Sequence, residues 1–267
     1  MESIKKLEDV DKYVDKYFLR TKEILEKEGL NPYVRAQVFV RNGPGIIAGI
    51  DEAIEFIDNN SNLRKNGGRI YALRDGKDYS PKETQMIIEG RVNDFVTLET
   101  LYLGIISSAI TKLNDGVDID LSKIESNARS IVDISGRPLI YFGARHWHYS
   151  KDRDIAEAAF KGGATGASTD IGAEVMGLSG VGTIPHILEN VYAFKYGKNR
   201  AVVEASKAFD KYMPKEIPRV ALIDYNNNEI VDSLNSAKEV SSLFALRVDT
   251  CGENVAQGAL PKNADEY

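Results

Sequence analysis

The stretch PLIYFGARHWHYSKDRDIAEAAFKGGATGAS, residues 138–168, decides the fold. It starts with a short apolar strand, PLIYF, continues through a helical segment that ends in two glycines, DIAEAAFKGG, and closes with a second short strand, ATGAS. A strand, a helix and a strand in this order form a right-handed crossover between two parallel strands. The stretch therefore predicts an α/β architecture with a parallel sheet.

The same alternation continues towards the C-terminus. Beyond the first two strands, the pattern predicts strands at GVGTI (180–184), RVALID (219–224) and LFALRVDT (243–250), with helical segments between them. Five alternating strands are typical of a doubly wound sheet or of a barrel.

The N-terminal part has a different, mixed α+β pattern. A helix is predicted over residues 4–28 with Gly29 as its C-cap, and a long helix over 93–113 with Asn93 as its N-cap. Strands are predicted between these two helices at VRAQVFV, RIYAL and TQMIIEGRV, and a helix at IDEAIEFI.

The composition of the chain argues against several classes of protein, among them duplex nucleic-acid binders and membrane proteins. The chain has 267 residues, a formal net charge of −6 and one cysteine, Cys251. An acidic chain without a basic face is not typical of a duplex nucleic-acid binder. We find no secretory signal and no uninterrupted apolar run near the ~18 residues of a membrane span. Without a second cysteine, no intrachain disulfide forms, which favours a cytoplasmic location.

Ionisable side chains follow each predicted strand where it ends. Ligands bind at the carboxyl ends of parallel strands, both in barrels and in open sheets. All three histidines of the chain lie at these ends. The residues at the strand ends are Arg145, His146, His148, Thr169, Asp170, His186, Asp224, Arg247 and Asp249.

Two chemical interpretations of these residues stay open. In an extended segment, His146 and His148 would share one face, so both could bind one metal ion, with His186 and acidic residues completing a hydrolase site. Alternatively, Arg145 and Arg247 offer planar guanidinium groups that match phosphate oxygens.

Six stretches resemble the nicotinate phosphoribosyltransferase family, of which nicotinamide phosphoribosyltransferase is a relative. They occur in the family's order and cover almost the whole chain: DKYFLRT (15–21), EGRVNDFVTLETLYLGIIS (89–107), YFGARHWH (141–148), GVGTIPHILEN (180–190), ALIDYNNNEI (221–230) and LRVDTCGENV (246–255).

The resemblance implies a type II phosphoribosyltransferase of two domains. An N-terminal α/β sandwich over residues 1–116 would precede an incomplete α/β barrel over residues 117–267. The implied reaction joins nicotinate to phosphoribosyl pyrophosphate in NAD salvage, with Mg²⁺ on the diphosphate. It also implies ATP hydrolysis coupled through a phosphohistidine, and a homodimer with shared active sites.

The resemblance also implies roles for individual residues. His186 would accept the phosphoryl group, and Asp224 and Asp249 would complete the catalytic set. Phe142 would stack on the pyridine ring beside Arg145, and Tyr17 would reach into the neighbouring subunit's site. The remaining expected substrate contacts are His146, His148, Ser168, Asp170, Thr183 and Arg247.

Two departures from the family qualify these expectations. Asp170 stands where nicotinate-using relatives carry a neutral residue, which makes nicotinamide the alternative substrate unless Asp170 only caps the following helix. Relatives also continue past residue 267 with later barrel strands, so we expect the 267 residues alone to be inactive. A metal-dependent barrel hydrolase and a non-catalytic fragment stay open as further alternatives.

Overall fold

The computed structural model describes residues 6–251 and 254–259. The chain divides into two compact units. The first joins the segment that ends at Leu19 to Asn31–Gly182, and the second joins Arg20–Leu30 to the segment that starts at Thr183. The boundary predicted between residues 116 and 117 lies inside the first unit, and that division stays a prediction.

Within the part of the chain that the structure describes, the first unit holds seven strands and most of the α-helices. Its strands are β1 (Tyr33–Phe39), β2 (Gly45–Ile46), β3 (Arg69–Ala72), β4 (Asp78–Tyr79), β5 (Thr84–Arg91), β6 (Leu139–Tyr141) and β7 (Ala164–Ala167). Its helices are α2 (Ile50–Asn60), α3 (Val92–Phe95), α4 (Glu99–Asp115), α5 (Leu121–Ser135), α6 (Asp152–Lys161) and α7 (Asp170–Ala173). Helix α1 (Lys16–Lys27) begins in this unit and ends in the second.

An antiparallel sheet in the order β1–β5–β3 forms the N-terminal part of this unit. One face of the sheet is buried through Val38, Met86 and Ile88. Helices α2 and α4 pack against each other and contribute buried side chains such as Phe56 and Leu101. The mixed α+β pattern predicted for this region is confirmed.

The helical stretch Val92–Asp115 differs from its prediction. Asn93 does not cap a long helix, because it lies inside the short helix α3, and a 3₁₀ turn separates α3 from α4. By length and composition alone this stretch could cross a membrane, contrary to the sequence expectation. However, 56% of its apolar window is buried, which is the pattern of a core helix, so it is weak evidence for a membrane span.

The strand–helix–strand prediction is confirmed. Strands β6 and β7 pair in parallel, with Tyr141 opposite Ala167, and α6 connects them. The strand predicted at GVGTI is wrong, because residues 178–185 have no regular secondary structure. Gly182 is required there: a Cβ on it would lie 2.9 Å from the backbone nitrogen of Tyr17.

Among its described residues, the second unit contains one parallel strand pair and three α-helices besides the end of α1. Its elements are α8 (His186–Tyr196), α9 (Ala201–Tyr212), β8 (Arg219–Leu222), α10 (Glu229–Glu239) and β9 (Leu243–Arg247). Strands β8 and β9 pair in parallel, with Leu222 opposite Arg247. Val202, Ala221 and Ile223 form a buried apolar cluster between helix and sheet.

Candidate active site

The carboxyl ends of β6 and β7 lie side by side in the first unit. The last residue pair of the two strands is Tyr141 and Ala167, and the Ser168 amide donates to the Tyr141 carbonyl at 3.0 Å. Phe142 and Ser168 therefore leave the sheet next to each other. The parallel pairing therefore brings the residues that follow β6 and those that follow β7 to the same sheet edge.

The corner that follows β6 rests on α4. Gly104 makes this approach possible, because a Cβ at that position would lie 2.4 Å from the Trp147 carbonyl oxygen. From the same corner, Arg145 Nη1 contacts Glu99 Oε1, at the start of α4, at 3.2 Å. A close backbone contact and an ion pair thus fix the position of the arginine.

Tyr17 and Phe142 form a nearly parallel aromatic pair. Their ring centroids are 6.2 Å apart and their planes differ by 10°. Tyr17 is 2% exposed, and its hydroxyl donates to Asp15 Oδ2 at 3.2 Å. Burial, and then the negative charge of Asp15, raise the pKa of the Tyr17 phenol. Tyr17 thus stacks on Phe142 of its own chain. That Tyr17 contributes to a partner subunit's site stays a prediction.

Asp170 forms an ion pair with Lys16, the first residue of α1. Its other carboxylate oxygen, Oδ1, accepts a hydrogen bond from the Gly180 amide at 2.8 Å. Asp170 is not the cap of the helix that follows it: Thr169 is the N-cap of α7, and its hydroxyl accepts from the Gly172 amide at 3.1 Å. The capping alternative for Asp170 is therefore wrong.

A buried carboxyl that no sequence pattern indicates forms hydrogen bonds with residues at the ends of β6 and β7. Asp152, in the first turn of α6, accepts from the Thr169 hydroxyl at 2.5 Å and from the Tyr141 hydroxyl at 3.0 Å. Burial raises the pKa of Asp152 to about 6, although both hydrogen bonds oppose the rise. Acidic residues are common in a first helical turn, so nothing in the sequence marks this one as buried.

His146 and His148 do not share a face, contrary to the metal interpretation. The segment from Ala144 to Trp147 is a turn rather than an extended strand. His148 contacts Glu52 through Nε2 at 3.0 Å and Ser150 through Nδ1 at 2.8 Å, so both of its ring nitrogens are engaged. His146 is exposed, yet partial desolvation and the charge of Arg145 lower the pKa of its imidazole.

The described residues also contain no group of three or more histidine, cysteine, aspartate or glutamate side chains placed to hold a metal ion. Hence neither histidine of this corner has the ligand geometry that the hydrolase interpretation needs.

In the second unit, His186 and Asp224 form a hydrogen-bonded pair. His186 is the first residue of α8, and Asp224 lies two residues beyond the end of β8. Nε2 of the histidine is 3.2 Å from Oδ2 of the aspartate. Burial would raise the pKa of the Asp224 carboxyl, but the contact with His186 and backbone amide donors outweigh it and hold the pKa below its ordinary value.

Arg247 and Asp249 lie beside Asp224 at the same sheet edge. Arg247 ends β9, and its Nη2 contacts Asp249 Oδ2 at 2.7 Å. The Ile223 amide donates to the Arg247 carbonyl at 3.1 Å, which places the two strand ends next to each other. Thr183, at the start of this unit, is half-buried and precedes α8 by three residues.

This unit contains two more buried carboxyls that no pattern in the sequence indicates. Glu189, one turn after His186 on α8, is 0% exposed, and neither of its carboxyl oxygens has a hydrogen-bond partner within the described ranges. Burial, then Asp224 and Asp232, raise the pKa of Glu189 well above its ordinary value, and Arg247 opposes them. Burial and then Glu229 raise the pKa of Asp232 to about 6.

Comparison with known proteins confirms the resemblance. Residues 15–110 match the family described as quinolinate phosphoribosyl transferase, N-terminal domain. A nicotinate-nucleotide pyrophosphorylase from Pyrococcus furiosus is 30% identical over 95% of this chain, with a TM-score of 0.45. The chain spans 61% of the length of that protein.

Two further structures show the fold. A protein from Saccharomyces cerevisiae assigned as a nicotinate phosphoribosyltransferase is 16% identical, with a TM-score of 0.71 over 94% of this chain and 72% of its own. Nicotinate phosphoribosyltransferase from Porphyromonas gingivalis is 18% identical, with a TM-score of 0.65 over 91% of this chain and 69% of its own. The chain therefore has a phosphoribosyltransferase fold of the mixed α/β class.

Proposed function

We propose that this chain acts as a nicotinate phosphoribosyltransferase, or as the larger part of one, in NAD synthesis. The reaction forms a bond between the pyridine nitrogen of nicotinate and C1 of the ribose in phosphoribosyl pyrophosphate. The bond from C1 to the diphosphate breaks, so the products are nicotinate mononucleotide and diphosphate.

The observation that carries this proposal is the parallel pair of Tyr17 and Phe142 next to the fixed Arg145. A flat ring between two parallel rings needs a centroid separation of roughly 7 Å, twice the ~3.5 Å contact distance of carbon atoms. The observed 6.2 Å separates ring centroids and falls within the range of a directly stacked pair, and Tyr17 is only 2% exposed, so the two rings must separate before a pyridine can enter. An aromatic slot that opens in this way, with the Arg145 guanidinium at its border, suits an aromatic acid.

The β8–β9 edge carries side chains of the kinds that a ribosyl group and a diphosphate require. The transition state of this reaction carries positive charge on the ribose and negative charge on the leaving diphosphate. We assign Asp224 and Asp249 to the ribose and Arg247 to the diphosphate. Carboxylates stabilise the first charge and a guanidinium the second.

Mg²⁺ and ATP belong to the proposal as well. Magnesium ions commonly bind through one or two carboxylates together with substrate phosphates, a mode that fits Asp224 and Asp249 better than a metal site made of protein groups alone. For ATP coupling, we propose His186 as the phosphoryl acceptor. With its Nε2 proton donated to Asp224, its Nδ1 keeps the lone pair that a nucleophile needs.

The finer fold and assembly are part of the same proposal. We propose an N-terminal sandwich over residues 1–116, followed by an incomplete α/β barrel over residues 117–267. We further propose a cytoplasmic homodimer. Because Tyr17 stacks on Phe142 of its own chain, we assign Tyr17 to the base site of its own subunit.

Two other bases are competing substrates. Asp170 favours nicotinamide, because a carboxylate accepts a hydrogen bond from an amide. The match of residues 15–110 favours quinolinate, the substrate in the name of the matched family.

A substrate comparison tests the proposal. The full-length protein is incubated with phosphoribosyl pyrophosphate, Mg²⁺ and each of the three bases, with and without ATP, and mononucleotides are quantified by chromatography. We expect the highest kcat/KM with nicotinate. A higher kcat/KM with nicotinamide or quinolinate would make that base the substrate in place of nicotinate. If no mononucleotide forms with any base, the proposed transferase activity is refuted.

A further inference from the structure

We propose that Lys16 determines the choice of base, by neutralising Asp170 so that the site accepts a pyridine carboxylate. This inference rests on the proposed function and deepens it. Asp170 alone would repel an anionic substrate, and Lys16 is the group that removes this repulsion.

The ion pair lies where a ligand can reach it. The side chains of Lys16 and Asp170 are 25% and 27% exposed, so they are neither on the open surface nor sealed in the core. At this level of burial, a charge interacts with a nearby carboxylate more strongly than it would in water. The Gly180 amide also donates to Asp170, which fixes the carboxylate at the end of β7.

The same ion pair is tied to the aromatic slot. Lys16 precedes Tyr17, and the Lys16 backbone amide donates to the Ser168 carbonyl at 2.8 Å. Ser168 in turn bonds to the Tyr141 carbonyl, next to Phe142. One short network thus connects the lysine, the end of β7 and the ring of the slot.

Ser168 gives an independent indication that a polar ligand group belongs here. Its residue is 0% exposed, and its hydroxyl has no hydrogen-bond partner among the residues that the structure describes. A buried hydroxyl without a partner is destabilising, so such groups are rare unless something else satisfies them. A carboxylate oxygen of the base would accept a hydrogen bond from this hydroxyl.

The charges predict a specific pattern across four proteins. In Lys16→Gln, Asp170 loses its counter-charge, and nicotinate binding should weaken at least about tenfold. Nicotinamide carries no charge, so its affinity should stay within about threefold. In Asp170→Asn, nicotinate should bind as well as in the wild type or better, whereas nicotinamide should bind more weakly. The double variant removes both charges and should restore nicotinate binding to within about threefold of the wild type.

Calorimetric titration of the full-length protein with nicotinate and with nicotinamide measures this pattern. Kinetic constants for both bases provide a second readout. Lys12→Gln is the matched control, because Lys12 lies four residues earlier and pairs with Glu174 on the surface at 3.3 Å. Thermal unfolding of all variants reports whether they fold.

The outcomes separate the two proposals. If both single variants weaken both bases by the same factor and the double variant restores nothing, the ion pair is only structural and this inference is wrong. If nicotinate binds with the expected charge dependence but no mononucleotide forms, the inference holds and the proposed transferase fails. If the wild type binds neither base, both are overturned.

Discussion

The two parallel sheet edges of this protein differ in how their charges are compensated. At the β6–β7 edge, Lys16 pairs with Asp170 and Arg145 with Glu99, and the buried Asp152 accepts hydrogen bonds from two hydroxyls. At the β8–β9 edge, carboxyls outnumber cations, and Glu189 and Asp232 are buried with unpartnered oxygens in the described structure. The buried carboxyls of the first edge are thus hydrogen-bonded, whereas the second edge buries carboxyl oxygens without partners, at a cost in stability.

Replacing the histidine of the second edge should have the largest effect. We expect His186→Ala to lower phosphoryl transfer from labelled ATP to the protein by more than about a hundredfold, because the proposed nucleophile is removed. The label should be acid-labile in the wild type. His148→Ala is the matched control, since both ring nitrogens of His148 are engaged by Glu52 and Ser150. Equal labelling of the His186 variant and the wild type would exclude His186 as acceptor.

Asp152 tests the compensated edge through pH. Its folded pKa of about 6 exceeds that of an unfolded aspartate, so the folded state holds its proton longer. The stability contributed by the protonated carboxyl is therefore present at low pH and declines by about 3 kcal/mol as pH rises from about 4 through 6. Asp152→Asn should remove this decline.

Urea unfolding of the Asp152 variant at pH 4.5 and 7.0 measures the effect as a difference from the wild type. Asp154→Asn, an exposed position on the same helix, is the control. Parallel stability curves for the wild type and Asp152→Asn would show that the carboxyl titrates normally.

Glu189 tests the comparison at the β8–β9 edge. The pKa of the Glu189 carboxyl is raised in the folded state. Its contribution to stability therefore also declines once the pH rises above the pKa of a glutamate in the unfolded chain. Glu189→Gln removes the charge, and we expect it to stabilise the protein by about 2 kcal/mol at pH 8 and by less at pH 5. Chemical denaturation at both values decides this. A destabilised variant at pH 8 would mean that the carboxylate has a stabilising partner in solution.

The smallest expected effect concerns the aromatic slot. Phe142→Ala should weaken nicotinate binding about tenfold, which corresponds to about 1.4 kcal/mol, by removing one wall of the slot. Calorimetry provides the measurement. Phe194→Ala is the control, since Phe194 is 82% exposed on α8. Unchanged affinity in Phe142→Ala would place the base elsewhere.

Local patterns in the sequence predicted much of this architecture. Strands such as β5 and β8 are continuous apolar or alternating runs, which need no distant information. GVGTI has an equally apolar composition but is a loop, since Gly182 lies against the Tyr17 backbone and leaves no room for a side chain. The start of α4 was also missed, because Asn93 has the chemistry of a cap but lies within a helical turn.

The candidate site was predictable only in part, and for a similar reason. Arg145, Asp170 and Asp224 were predicted, because they directly follow strands. Asp152 and Glu189 lie in amphipathic helices, and helical periodicity does not reveal that one acidic residue is turned into the protein. The partner of Asp170, Lys16, lies too far away along the chain for any local pattern to identify.

The contact between Lys16 and Asp170 closes a loop of 154 residues. Contacts between distant residues carry a large loop-closure entropy and form slowly during folding. During synthesis, residue 16 leaves the ribosome long before residue 170 exists. The antiparallel sheet and α4 therefore have time to form while the aspartate is still missing. The ion pair, and with it the proposed discrimination between an acid and an amide, can form only after Asp170 has been synthesised.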